Sequence, residues 1–245
     1  MPKALHISII VLIIVAISFT AIMLILRYDE KGEENMPFDI SKISVISSIN
    51  SQDNEDEKNV WNKSVGQDND IYIYIEKNKN FTKTETIEKI VLNNFIINQK
   101  PEKGEITIYK PSNNEKELFE NEDKYKSEEI IFTGEQLTKI KELKISNQGG
   151  IVAFRLANKN LGNYISNEKE IDYNNLLKKI NITEEQISTN ISFDLSIVLS
   201  ENKQFKATIN LKLPVEGVVE NGKSSKEIKG KNIVFKRTEN WINYL

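Results

Sequence analysis

Two aspartates and three aromatic residues, close together in the sequence, are the best candidates for a ligand-binding surface. Asp68 and Asp70 precede an alternating run in which Tyr72 and Tyr74 share one face of a predicted strand, and Trp61 lies upstream. A flat aromatic ring can stack on a sugar ring while nearby carboxylates accept hydrogen bonds from its hydroxyl groups. Aromatic residues are also favoured in strands for packing alone. The alternative is therefore that Tyr72 and Tyr74 cover a half-buried face and Trp61 caps the core.

The same two aspartates are candidate ligands for a structural calcium ion, because carboxylates at the start of a strand can converge on one cation. A second acidic stretch, residues 53–57, has oxygen ligands at alternate positions. An EF-hand loop beginning at Asp53 would need glycine and glutamate at its sixth and twelfth positions, where the sequence has Lys58 and Ser64. This stretch is therefore expected to be a solvated loop.

The sequence excludes several kinds of catalytic site. It contains no cysteine, and His6 is the only histidine, at the edge of an apolar run. A Ser-His-Asp triad or a zinc site built on histidine or cysteine is thereby ruled out for the rest of the chain. Ser166 and Lys169 have a Ser-x-x-Lys spacing that is common by chance in a chain rich in both residues. A carboxylate-pair glycosidase stays open, although no pair stands out, and no cofactor is expected.

Charge makes a nucleic acid a poor candidate partner. Of the 33 basic residues, Lys3 and Arg27 precede Tyr28, which leaves 31 against 36 acidic residues in the remainder and a net charge of −5. The two signs are mixed along the chain without a basic stripe. Phosphate binding needs clustered lysine and arginine, so we expect no nucleic-acid partner.

The run from Ile7 to Leu26 predicts a transmembrane helix, since about 20 apolar residues span the hydrocarbon core of a bilayer. The lipid bilayer is thus one expected partner; a protein or glycan partner cannot be named. A buried core helix is the first alternative, and the uncharged length argues against it. A cleaved signal peptide with a site near Ala16 is the second, but the apolar run is longer than the roughly 7–15 residues typical of one.

The side of the membrane follows less directly from the residues. Lysine and arginine are nearly balanced across the apolar run, so the positive-inside rule barely discriminates. A short segment before the run and a long domain after it are typical of a signal anchor. We therefore expect an extracytoplasmic domain, with a cytoplasm-facing domain as the alternative.

The rest of the chain predicts many strands and few helices. Odd-numbered residues from Ile191 to Leu199 and from Phe205 to Leu213 are apolar, which predicts a hairpin with one buried face and puts Ser196 on the other. This parity requires a three-residue loop or a bulge. A turn at residues 147–150 is expected to join strands 143–146 and 151–157 as a second hairpin. Residues 87–97 are read as strand, and short helices are predicted at 173–180 and 184–188.

Together these patterns predict a mainly β fold: an antiparallel β-sandwich, immunoglobulin-like or jelly-roll-like, with an N-terminal transmembrane helix and one or two short helices. The predicted divisions are an anchor at 1–27, an acidic linker at 28–37 with too little apolar content to pack, and a soluble domain at 38–245. The expected function is a membrane-anchored binding or structural module, with a surface carbohydrate-active enzyme as the alternative.

Overall fold

The computed structural model describes residues 3–54, 61–112, 117–120, 128–134, 143–168, 170–200 and 203–238. The helices of these segments are α1 (Lys3–Lys31), α2 (Leu176–Lys179), α3 (Glu184–Ile187) and α4 (Val218–Asn221). Their strands are β1 (Phe38–Asp53), β2 (Trp61–Lys77), β3 (Ile87–Gln99), β4 (Glu105–Tyr109), β5 (Ile130–Gly134), β6 (Leu143–Ile145), β7 (Gly150–Ser166), β8 (Thr189–Leu199), β9 (Gln204–Leu213), β10 (Lys223–Lys229) and β11 (Lys236–Thr238).

The strands form two sheets, so the predicted mainly β sandwich is confirmed. Sheet 1 has the order β10-β1-β2-β7-β4, and sheet 2 has the order β11-β9-β8-β3-β5-β6. Every pairing is antiparallel except β5 with β6. One apolar core draws residues from both sheets, including Ile73 and Phe154 of sheet 1 and Phe193 and Leu211 of sheet 2. A smaller apolar cluster packs α2 and α4 against the end of sheet 1.

The β8–β9 hairpin has the predicted form. Ile197 pairs with Phe205 and Val198 with Gln204, and the Leu199 N–H donates to the carbonyl of Lys203, which leaves a three-residue loop. The odd-numbered residues of both strands point into the core. The even-numbered residues in the middle of β8 are also buried, however, and Ser196 is only 3% exposed.

The predicted hairpin at residues 147–150 is wrong. The turn exists, with the Gly149 N–H donating to the carbonyl of Ser146. Its two flanking strands belong to different sheets, however, since β6 pairs with β5 in sheet 2 and β7 pairs with β2 and β4 in sheet 1. Residues 147–150 therefore connect the two layers of the sandwich.

The prediction of strand at residues 87–97 is confirmed by β3. Helices α2 and α3 lie within the two predicted helical segments, and the Thr183 N–H donates to Oε1 of Gln186 at 3.1 Å, as expected at the start of a capped helix. Helix α4 was not predicted.

Helix α1 contains the predicted membrane segment. From Ile10 onwards it is long and apolar enough to span a membrane, and none of it is buried in the protein. The helix continues to Lys31, four residues beyond the predicted anchor. The expectation that residues 28–37 have too little apolar content to pack is corrected, because Met36 is 3% exposed and belongs to the main core.

Candidate functional site

The outward face of sheet 1 contains four of the five predicted site residues. Along β2, Ile71, Ile73 and Ile75 point into the core, so the alternation places Asp68, Asp70, Tyr72 and Tyr74 on the opposite face. Pairing with β7 brings Arg155 directly opposite Asp70 and Ala157 opposite Asp68.

Arg155 binds both aspartates, and we call these three residues the Arg155 cluster. Its Nε and Nη2 donate to the two carboxylate oxygens of Asp70 at 2.6 and 3.0 Å, the two-pronged geometry in which guanidinium and carboxylate bind most strongly. Its Nη1 lies 3.2 Å from Oδ2 of Asp68. The two carboxylates predicted to converge on calcium therefore converge on a guanidinium.

Aromatic side chains cover the Arg155 cluster. Tyr109 pairs with Arg155 from β4, and the ring centroid of Phe119 lies 4.9 Å from the guanidinium carbon of Arg155. Both aromatic residues are 1% exposed. Phe119 forms an antiparallel bridge with Pro111, which lies just beyond β4. This bridge holds Phe119 over the sheet.

Burial changes the protonation equilibria of the cluster. It raises the pKa of Asp68 above its ordinary value, and this effect outweighs the opposing charge of Arg155 and a hydrogen bond with Asn50. Burial alone would lower the pKa of Arg155. The hydrogen bonds to Asp70 and the charge of Asp68 outweigh this effect and raise the pKa above its ordinary value, so Arg155 stays a cation. The cluster is therefore a guanidinium cation held between two carboxyl groups.

A small polar cavity adjoins Asp68. Its volume is about 70 Å³, and its walls include Asn50, Asp68, Tyr109, Lys159 and Asn160. It exists because β7 has extra residues opposite Gly66, where the β2–β7 register shifts. Pockets for drug-sized ligands have about 300–1,000 Å³, so this one has room for about two water molecules or one small group of a larger ligand.

The two tyrosines are half-buried and occupy different surroundings. The ring of Tyr72 lies against Phe119, with centroids 6.1 Å apart. The ring of Tyr74 has the ammonium group of Lys42 4.8 Å from its centroid. Neither ring is sealed in the core, so stacking on a sugar stays a prediction, and Tyr74 is the better placed of the two.

Trp61 does not join this surface. It begins β2, eleven residues before Tyr72, which is about 36 Å along an extended strand. Its odd number in β2 places it on the same face as the inward-pointing isoleucines, opposite to Tyr72 and Tyr74. The Lys63 ammonium group lies 5.4 Å from its ring. The three predicted aromatic residues therefore do not form one binding surface.

Asp68 and Asp70 remain predicted calcium ligands, although the guanidinium of Arg155 now lies between their carboxyl groups. Among the residues that the structure describes, no group of three or more histidine, cysteine, aspartate or glutamate side chains could hold a metal ion. In the second acidic stretch, Oδ1 of Asp53 lies 2.5 Å from Nζ of Lys63. Residues 55–57 of that stretch, and Lys169 of the Ser-x-x-Lys pair, lie outside the described residues.

Two larger grooves lie away from the Arg155 cluster. One of about 1,200 Å³ runs between α3, α4 and strands β9 and β10, with lysines and glutamates on its walls. The other, of about 650 Å³, separates the edges of β9 and β10 and has Asp29 of α1 at one side. Neither groove is lined by any of the five site residues predicted from the sequence.

Comparison with known proteins gives no relative: no protein-family model, curated protein or solved structure matches this chain.

Proposed function

We propose that the protein is a membrane-anchored extracytoplasmic binding module. The observation that carries the proposal is the direct joining of two unlike parts: a helix with a fully exposed apolar surface ends on a sandwich whose interior is filled. Such a helix is stable in lipid, and such a sandwich presents its outer faces to a partner.

The outer face of sheet 1 is the proposed binding surface. Forming a buried ion cluster costs desolvation energy, and apolar packing of equal volume would often be at least as stable, so stability alone does not explain the Arg155 cluster. Tyr109 and Phe119 cover the cluster, so the groups that this face presents to a partner are the half-exposed rings of Tyr72 and Tyr74. A glycan or a polar protein segment has the groups to match these.

An enzymatic function receives less support from the same geometry. Glycosidase chemistry needs two carboxyl groups on opposite sides of a scissile bond, with one free to donate a proton. Asp68 and Asp70 instead lie on the same side of the sheet and bind the same guanidinium. The carbohydrate-active enzyme is therefore the weaker proposal.

Cysteine labelling tests the proposed topology, since the chain has no native cysteine. Lys226→Cys places a thiol at an exposed position on β10, and Lys3→Cys places one before the apolar segment. We expect a membrane-impermeant maleimide to label Lys226→Cys in intact cells and Lys3→Cys only after permeabilisation. The reverse pattern would establish the cytoplasm-facing alternative.

Binding to a printed array of oligosaccharides tests the proposed surface. We expect retention on a subset of the array, and we expect Tyr74→Ala to abolish it while the domain stays folded. Tyr173→Ala is the matched control, because Tyr173 is 38% exposed and lies outside sheet 1, ahead of α2. Equal loss in both variants, or no loss in Tyr74→Ala, would remove this face from the proposal.

A further inference from the structure

The contacts at the end of α1 hold the sandwich close to the last apolar residue of the helix. The Arg237 N–H donates to the Tyr28 hydroxyl oxygen at 2.9 Å, and Nζ of Lys236 lies 2.6 Å from Oδ1 of Asp29. Tyr28 and Asp29 follow Leu26 by about 3–5 Å along the helix axis. The headgroup layer of each leaflet is about 5–7 Å thick, so this end of the sandwich lies beside it if α1 spans the bilayer.

The turn between β2 and β3 lies at the same end of the sandwich. Phe38, the first residue of β1, pairs with Lys77, the last residue of β2. The backbone N–H of Asn78 donates to the carbonyl of Pro37 at 2.8 Å, and its side-chain Nδ2 donates to the carbonyl of Met36 at 2.9 Å. The turn is therefore bound to the segment that joins α1 to β1.

A small pocket also places this turn beside β11. Its volume is about 190 Å³, and Phe81 and Lys83 of the turn line it together with Glu33 and Arg237. Arg237 is the residue whose N–H donates to Tyr28. The turn thus belongs to the part of the sandwich that is nearest to the bilayer.

Residues 77–84, which we call the basic turn, carry positive charge only. Their sequence, KNKNFTKT, contains Lys77, Lys79 and Lys83 and no acidic residue. All three lysines are exposed, and Phe81 adds a half-buried aromatic ring between the last two. Among the residues that the structure describes, no ion pair involves these lysines. The basic turn therefore presents three ammonium groups to an anionic partner.

The acidic residues at this end of the sandwich lie outside the basic turn. Three of them form ion pairs with other cations at 2.6–2.8 Å: Asp29 with Lys236, Glu34 with Arg27, and Glu85 with Lys203. The others are Glu30 and Glu33 beside the end of α1, and Asp39 and Glu76, which pair with each other on β1 and β2. An anionic surface is therefore attracted most strongly by the basic turn.

Clustered lysines next to a membrane attract anionic lipids, and aromatic rings concentrate at the headgroup level. We propose that the basic turn binds the headgroups of anionic phospholipids in the leaflet where α1 ends, an inference that rests on the proposed membrane anchoring. The helix and the basic turn then contact the membrane at two points. Two contacts set the orientation of the sandwich on the bilayer and thus the direction in which the outer face of sheet 1 points.

Full-length protein in phospholipid nanodiscs tests the inference, because the chain has no native cysteine to compete with an introduced one. Asn80→Cys, at an exposed position in the basic turn, carries a fluorophore, and the discs contain a lipid with a quenching nitroxide on its headgroup. We expect stronger quenching in discs of phosphatidylcholine with phosphatidylglycerol than in discs of phosphatidylcholine alone. Concentrated salt should remove the difference, because it screens exposed charges.

Two pairs of substitutions separate the basic turn from the charge of the whole domain. Lys79→Gln with Lys83→Gln removes two charges from the turn, and Lys223→Gln with Lys226→Gln removes two from exposed positions of β10 that pair with the middle of β1. A lysine near an anionic surface favours the bound state about fivefold, so the first pair should weaken the contact on the order of 25-fold and abolish the extra quenching. The second pair should leave it unchanged. Extra quenching that the first pair does not reduce would overturn the inference.

Elution of the protein with the discs separates failure of this inference from failure of the anchoring. In phosphatidylcholine discs and concentrated salt, charge attraction is screened and α1 is the expected attachment. Co-elution together with equal quenching in the two kinds of disc would overturn the lipid contact and leave the anchor intact. Failure to co-elute would overturn the anchoring proposal as well. Co-elution in both, with extra quenching in the anionic discs alone, is the expected result.

Discussion

At the scale of single residues, Arg155 is the side chain on which the outer face of sheet 1 depends. Its side chain is 18% exposed, and the side chains of Asp68 and Asp70 are 13% and 12% exposed. Removing one partner from a buried ion cluster leaves uncompensated charge, which typically costs about 3–5 kcal/mol. We therefore expect Arg155→Met to lower the free energy of unfolding, measured with urea, by about that amount.

The control for Arg155→Met is Arg237→Met, at the exposed arginine of β11. We expect it to change stability by no more than about 0.5 kcal/mol, the usual range for exposed sites. Equal, small losses in the two variants would show that the Arg155 cluster is dispensable for folding.

Asp68 gives the domain a specific pH dependence. Because burial raises its pKa, the folded state holds this proton more tightly than the unfolded state does. The contribution of Asp68 to stability is thus greatest at low pH and is lost as pH rises from the ordinary aspartate value, near 4, through the raised value. We expect the stability of Asp68→Asn relative to the native protein to increase across that window. Thermal melts at successive pH values measure it, and a constant difference would contradict the prediction.

The sequence was sufficient to select the two aspartates of this site, but it did not show which residue binds them. Asp68 and Asp70 were identified because carboxylates beside aromatic residues are chemically conspicuous. Arg155 was not selected from the sequence. An arginine inside the apolar run VAFRLA does, however, indicate that a buried acidic residue lies next to it. The pairing that supplies this partner joins residues 85 positions apart, and alternation within a strand carries no information about which strand lies beside it.

At the scale of elements, the β8–β9 hairpin shows what alternation can predict. Leu195 is fully buried on the core face, so an aspartate there is an unpaired charge in an apolar interior and costs several kcal/mol. We expect Leu195→Asp to unfold the domain. Ser196→Asp should be milder, because position 196 pairs directly with Lys206, and yet it should be measurable because the site is only 3% exposed.

Asn210→Asp is the control on this hairpin, since Asn210 is exposed on β9. Circular dichroism and urea unfolding should rank the losses in the order Leu195→Asp, Ser196→Asp, Asn210→Asp. A loss in Ser196→Asp as large as that in Leu195→Asp would show that alternation does not distinguish the two faces of β8.

Alternation underestimated the length of the three long strands of sheet 1. Strands β1, β2 and β7 are each 16 or 17 residues long, whereas the apolar pattern marks only part of each. Polar residues such as Asn69 extend them into the interior, where its amide nitrogen donates to Oε1 of Gln67 at 3.2 Å and to the carbonyl of Leu156 at 3.3 Å. Buried hydrogen bonds of this kind make a polar residue acceptable inside, and the local sequence does not reveal them.

At the scale of the whole molecule, the helix and the sandwich are joined by a structured connection. Gly32 has a φ of +70°, and a Cβ there would lie 2.2 Å from the carbonyl oxygen of Phe235. Only glycine allows the chain to turn this close to β11. The sequence suggested a solvated linker because its charges are conspicuous, whereas the contacts that order it come from residues some 200 positions later.

This connection makes the stability of the isolated domain depend on where it begins. A chain starting at Tyr28 lacks the apolar segment and retains the contacts of Tyr28 with Arg237, Asp29 with Lys236 and Glu33 with Phe235. We therefore expect it to be soluble and folded. A chain starting at Met36 keeps the buried methionine and loses those contacts. Its main core is intact, so we expect it to fold with a lower midpoint in thermal melts.

Amide exchange in the chain starting at Met36 should accelerate in Lys236–Thr238 and remain unchanged in β8. Identical melting and exchange in the two chains would show that β11 is held by β9 alone, and an insoluble, unfolded chain from Tyr28 would show that the sandwich requires its helix.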